Sequence, residues 1–133
     1  MNSIIGNIKI LCATLGGALG WLLGGFNSLI YALIAFVLLD YMTGVILAIQ
    51  EKKVSSEIGF KGIGKKILIF ILVAFGNIID QYVFNTGSAL RSMLIMFYLS
   101  NEGISIIENA GKMGLPLPQK LKTVIQKLNE DNN

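Results

Sequence analysis

Residues 10–39 read ILCATLGGALGWLLGGFNSLIYALIAFVLL, a stretch without Asp, Glu, Lys, Arg or His, between Lys9 and Asp40. A membrane-crossing helix needs about 20 mostly apolar residues, so this run holds two crossings, not one. Near its middle Gly24-Gly25-Phe26-Asn27-Ser28 concentrates helix-breaking residues and predicts a tight turn. The run therefore divides into a span over about 8–25 and a second over 29–50, a helical hairpin.

Outward from the hairpin the pattern alternates. Residues 51–66 hold Lys52, Lys53, Lys61, Lys65 and Lys66 against Glu51 and Glu57, with Ser and Gly between them. They read as a basic connection at the membrane surface. The positive-inside tendency places it in the cytoplasm, where each lysine gains about 1 kcal/mol from anionic headgroups. A third apolar segment, 67–84, is interrupted by Asp80 and ended by Asn85-Thr86-Gly87-Ser88. A fourth, 89–107, carries Arg91 and Glu102. It spans if Arg91 snorkels to the outer surface, and otherwise rests at the interface.

Gly111 to Pro118 then stops the helix. From Gln119, the residues Leu121, Val124, Ile125 and Leu128 recur at helical spacing, with Lys120, Lys122 and Lys127 elsewhere on the wheel. They predict a short amphipathic helix with a frayed polar end, Asn129 to Asn133. The expected architecture is all-α: a multi-spanning membrane domain over 1–112 with four transmembrane segments, or three, and a cytoplasmic tail over 113–133. Four spans put both termini in the cytoplasm; three move the N-terminus outside.

Composition agrees and excludes much chemistry. Hydrophobic residues make up 53% and charged residues 14%, with a mean hydropathy of +0.66. The bilayer is the expected solvent and first partner. With no His and only Cys12, a zinc site, a disulfide framework and a Cys-His nucleophile are absent. No catalytic residue, cofactor or nucleic-acid partner is expected. Lys9 ahead of an apolar run, with Ala18-Leu19-Gly20 behind it, loosely resembles a secretory signal. Trp21 and further apolar sequence follow at once, so the segment reads as a retained span. Gly59 to Lys65 fits the Gly-x-x-x-x-Gly-Lys part of a phosphate loop, but Lys66 stands where Ser or Thr must reach magnesium, and no strand precedes it.

Several residues stand out within the spans. Gly16, Gly20 and Gly24 recur every four residues, and Gly44 adds a small position in the second span; such residues let helix backbones approach in lipid, between subunits or within one. Asp40 falls near the middle of its helix, where an ionised carboxylate costs about 3 kcal/mol unless it is neutralised, paired or wet. Asp80 and Arg91 flank their turn at similar depth and are expected to pair across it. Arg91, Tyr98, Glu102, Ser105 and Asn109 share one face of the fourth segment, a polar stripe that lines water, packs inside a dry bundle or lies at the interface.

Read together, Asp40-Tyr41-x-Thr43-Gly44, Ser55-Ser56-x-x-Gly59-x-x-Gly62 before Lys65-Lys66, Asp80, Tyr98-x-x-x-Glu102-x-x-Ser105-x-x-Glu108-Asn109 and Gly114-Leu115-Pro116-x-Pro118 with Leu121 resemble the toxin-secretion and phage-lysis holin family of Gram-positive hosts. The resemblance covers about Leu39 to Leu128. It implies a protein of the bacterial cytoplasmic membrane that assembles as a homo-oligomer and permeabilises that membrane, giving an endolysin or large toxin access to the wall. Two alternatives stay open on the residues alone. One is a small channel or transporter subunit moving ions or protons along Asp40, Asp80 and Glu102; the other is an antiholin-like partner that forms no lesion.

Overall fold

The computed structural model describes residues 2–131, with side chains through 124 and at 127. Helix α1 spans Asn2–Leu23 and α2 Ser28–Gln50. Helix α3 spans Ser56–Ile78 and continues into a π-helical turn, Ile79–Val83; α4 spans Ala89–Lys112 and α5 Gln119–Asp131. Each boundary has a local cause. Gly24 and Gly25 take φ of +86° and +98°, and the Gly25 amide bonds back to the Gly20 carbonyl at 2.6 Å, which ends α1. Asn27 then caps α2, its side-chain oxygen accepting from the Ile30 amide at 3.2 Å.

Two expectations need correction. The polar connection does not run to Lys66: Ser55 accepts from the Ile58 amide at 3.1 Å and starts α3 at Ser56, so Lys61, Lys65 and Lys66 are helical. Four spans are not all borne out by length and apolarity. Among the described residues α1, α2 and Ser56–Val83 are long and apolar enough to cross a membrane, whereas α4, with Arg91 and Glu102 inside it, is long but too polar. At the other end of α4, Gly114 takes φ of +96°, and Leu115 bonds back to Ala110 before the prolines. Helix α5 runs through Asp131, and Leu121 and Val124 on it are exposed. The side chains of Ile125 and Leu128, and Asn132 and Asn133 altogether, lie outside the described residues.

Helices α2 and α4 run parallel in near-constant register, since Phe36 meets Gly103 and Thr43 meets Asn109, 67 and 66 residues apart. Helix α3 runs antiparallel to both: Asn77 near its end meets Leu22, and Lys66 near its middle meets Asp40 and Glu102. The shared interior is small, made of Leu23, Ile30, Leu33, Val37, Ile69, Val73 and Ile95. The outer surface is the apolar one, with Leu38, Leu68, Ile71, Met93 and Phe97 exposed on three helices. Such a surface suits lipid contact and would aggregate in water.

Helix α1 packs on α3 and buries Leu23 alone among its residues. Its hold on the rest lies at its C-terminal end. A Cβ on Gly24 would stand 2.6 Å from both Arg91 Nε and Asn77 Oδ1, while one on Gly25 would meet open space. Both positions carry the same left-handed φ penalty of about 1–2 kcal/mol. Gly24→Ala is therefore expected to lower stability by about 1–3 kcal/mol more than Gly25→Ala, the excess being the displaced side chains. Thermal unfolding of the two variants in one detergent measures that difference.

Candidate functional site

The polar residues buried among the helices gather in two clusters, an inner one midway along α2, α3 and α4 and an outer one at the turns that end α1 and α3. The inner one joins three helices. Lys66 of α3 donates through Nζ to Asp40 Oδ2 of α2 and, at 2.6 Å, to Glu102 Oε2 of α4. Asp40 and Glu102 are only 7% and 5% exposed. Asn109, two turns beyond Glu102, donates to the other Asp40 oxygen at 3.2 Å and to Thr43 Oγ1 at 2.9 Å. The Thr43 hydroxyl is itself directed to the Leu39 and Asp40 carbonyls. Asp40 thus has partners on both oxygens, as a buried carboxylate requires.

Helical spacing explains why one face supplies these groups. On α4, Glu102, Ser105 and Asn109 follow at steps of three and four, and on α2 Asp40 and Thr43 are three apart. Their faces meet because small residues sit beside them. A Cβ on Gly44 would lie 3.7 Å from Asn109 Nδ2, and one on Gly103 would lie 3.3 Å from the Phe36 ring. Tyr41 fills the space over Gly59 and Gly62, where added Cβ atoms would each come within 3.5 Å of it.

The outer cluster is built on Asp80, 1% exposed, inside the π-helical turn. Its carboxylate accepts from the Thr86 hydroxyl at 2.5 Å and from the amides of Leu90 and Arg91 at 3.0 and 2.8 Å. In effect Asp80 caps the first turn of α4 from another helix, where a carboxylate also faces the positive end of the helix dipole. The expected ion pair is not how Arg91 is used. Its guanidinium donates to the Leu23 carbonyl and, at 2.9 Å, to the Gly25 carbonyl, while Asn77 Nδ2 donates to Leu22 at 3.0 Å and Trp21 at 3.3 Å. Orphan carbonyls at the end of α1 take these donors. Asp80 and Arg91 do lie together, through the Arg91 backbone.

The other predicted positions scatter. Tyr98 is half-buried at the edge of the core, edge-on to Phe97 at 5.0 Å, and Ser105 lines the space beside Asp40. Gly20 faces the Phe26 ring of its own chain at 3.1 Å and Gly24 faces Arg91, whereas Gly16 faces open space. Lys53 and Lys61 are exposed and pair with Glu51 and Glu57 at 3.8 and 3.6 Å; Lys52 and Lys65 are exposed as well. Lys66 turns inward instead. Among the described residues no three His, Cys, Asp or Glu side chains converge as a metal site, and the third arm of the inner cluster is an ammonium. Lys66, Thr43 and Asn77 are the members that sequence reasoning did not place. The Ser55-Ser56 pair before Glu57 was the available signal for Lys66, because a cap there puts Lys66 mid-helix.

The arrangement ties three helices together through one shared set of polar groups. A model described as the bacteriophage holin family matches residues 17–130. An uncharacterized protein of Clostridium perfringens strain 13 is 38% identical over 100% of this chain and 98% of its own. An uncharacterized protein of Listeria monocytogenes is 42% identical over 83% of this chain and 78% of its own. A probable holin of Bacillus phage phi105 is 31% identical over 72% of this chain and 70% of its own. No solved structure matches.

Proposed function

The chain belongs to the bacteriophage holin family, and from that premise we propose that it is a non-enzymatic, multi-pass protein of the bacterial cytoplasmic membrane that self-assembles there and permeabilises it. An endolysin or large toxin then reaches the wall without having to bind the chain. The observation that carries this reading is the inner cluster. One lysine serves two buried carboxylates on neighbouring helices, so the closed protomer is held by a shared counter-ion that rearrangement would break.

We read α4 as a fourth span. Its parallel register with α2 carries it through the same depth, and its charged groups are turned inward, with Arg91 and Glu102 buried. Four crossings put both termini on the lysine-rich side, the cytoplasmic one by the positive-inside tendency. A channel or transporter subunit would need a continuous polar path. The apolar core of Leu33, Val37, Val73 and Ile95 lies between the two clusters and favours the lesion instead.

Vesicles containing the purified chain, loaded with a small dye and a protein-sized dextran, separate the readings. A lesion releases both together and abruptly; selective, saturable release of small ions with the dextran retained would contradict it. Assembly is tested on α1. Gly16→Leu adds bulk where the chain's own atoms leave open space, so a fall in crosslinked oligomers is expected if α1 packs between subunits. Gly20→Leu is the internal comparison, since it strikes Phe26 of its own chain. Unchanged crosslinking in Gly16→Leu would confine α1 to contacts within one protomer.

A further inference from the structure

Helices α2 and α3 touch much less than α2 and α4 do, and between them lies a groove of about 610 Å³ with Ser105 and Asn109 of α4 at its floor. Val45, Ala48, Ile58 and Ile63 make its walls, Asp40 and Lys66 close its deep end, and Lys53 stands at its mouth. Tyr41, seated over Gly59 and Gly62, lines it as well. Along α2 the groove runs from Asp40 to Ala48, about 12 Å at 1.5 Å per residue. One leaflet's hydrocarbon is about 15 Å deep. The groove is therefore long enough to take most of an acyl chain of one leaflet.

We propose that this groove is a binding site for one anionic phospholipid, whose acyl chain lies along the apolar walls and whose headgroup is held at Lys53. In a bilayer an apolar trough open at the helix surface is filled by water or by a hydrocarbon chain, and its walls favour the chain. Charge selects the headgroup. Four exposed lysines, Lys52, Lys53, Lys61 and Lys65, lie on the segment that flanks the groove, against two glutamates, Glu51 and Glu57. The same positive sign opposes docking of α5, which brings Lys120 and Lys122. A seated chain covers Asp40 and Lys66 and keeps water from competing for their ion pair.

Native mass spectrometry of the detergent-purified chain, titrated with phosphatidylglycerol or with phosphatidylcholine of the same acyl chains, tests this. One phosphatidylglycerol per protomer is expected to be retained in preference to phosphatidylcholine. Lys53→Gln should lower its retention by about fivefold, the loss of about one headgroup charge contact, and leave phosphatidylcholine unchanged. Ala48→Phe should lower retention of both lipids by filling the groove. Equal retention of the two lipids, wild-type retention in both variants, or displacement of phosphatidylglycerol by excess glycerol phosphate would overturn the site. Lys53 is exposed, so its variant stays folded and interpretable should Ala48→Phe not fold. Dye release is read separately, so failure of the lipid site leaves membrane permeabilisation standing, and the reverse also holds.

Discussion

Lys66→Met is expected to lower the stability of the bundle by about 3–5 kcal/mol, the usual loss when one member of a buried ion pair is removed. The ammonium is the counter-ion of both Asp40 and Glu102. Methionine matches its length and leaves two buried carboxylates facing each other with no cation. Their repulsion, or the cost of protonating one of them, weakens the most extensive helix contact in the bundle, that of α2 with α4. The expected phenotype is poor accumulation, or permeabilisation earlier than wild type at equal expression. Adding Asp40→Asn and Glu102→Gln removes both charges, keeps the shapes and should restore most of the lost stability. Thermal unfolding of the single and triple variants in one detergent measures the effect. A single variant as stable as wild type would mean that the three groups do not share charge. By the same reasoning Asp40→Asn alone loosens the hold of Lys66 on α2 while keeping the link to Asn109, and should shift lysis timing by more than it shifts expression.

Asp80→Leu is the second large loss. Its carboxylate satisfies the hydroxyl of exposed Thr86 and two backbone amides at the start of α4, of which the bond from Arg91 is buried and that from Leu90 part-buried. Each buried donor left unsatisfied costs about 1–3 kcal/mol, and the Thr86 hydroxyl can turn to water, so the loss comes from the two amides and amounts to about 2–4 kcal/mol. Asp80→Asn keeps one acceptor oxygen but turns an amide donor towards the remaining donors, and should fall between the two. Amide hydrogen exchange at Leu90 and Arg91 gives a local reading: exchange should quicken in both variants, most in Asp80→Leu. Protection unchanged at those two amides would show that Asp80 is not their cap. Reversing Asp80 and Arg91 together is not expected to restore function, since Arg91 uses its side chain on the α1 carbonyls.

The two turns and the helical class were legible in the sequence because they rest on local properties: charge-free length, glycines at the breaks, and Asn or Ser at caps. The expected hairpin of the first two helices is not formed, since α1 packs on α3 and not along α2. The place of Asp40 midway along α2 was legible for the same reason as the turns. Its partner was not. Gly59, Gly62 and Gly64 weaken helix propensity over the stretch before Lys66, so the segment reads as a loop, and only the Ser55 cap and packing against Tyr41 make it helix. A lysine thought to sit at the surface is thereby carried into the bundle. Arg91 shows a second limit. Depth placed it beside Asp80, but several acceptors compete at that level, and the orphan carbonyls at the end of α1 take the guanidinium. The face of α4 was readable from its spacing; that it meets α2 in parallel register depends on Gly44 and Gly103 at the crossing, which no periodicity reports.

The most direct test of the account is a lysis time course in a bacterium expressing the chain together with an endolysin that has no export signal of its own, with membrane potential followed in the same culture. The account predicts an interval of normal potential and growth after induction, then a sudden loss of potential followed at once by lysis, and a shift in that moment in Asp40→Asn at equal expression. Sustained potential with no lysis, while the chain is present in the membrane at the level of a known lytic control, would contradict it.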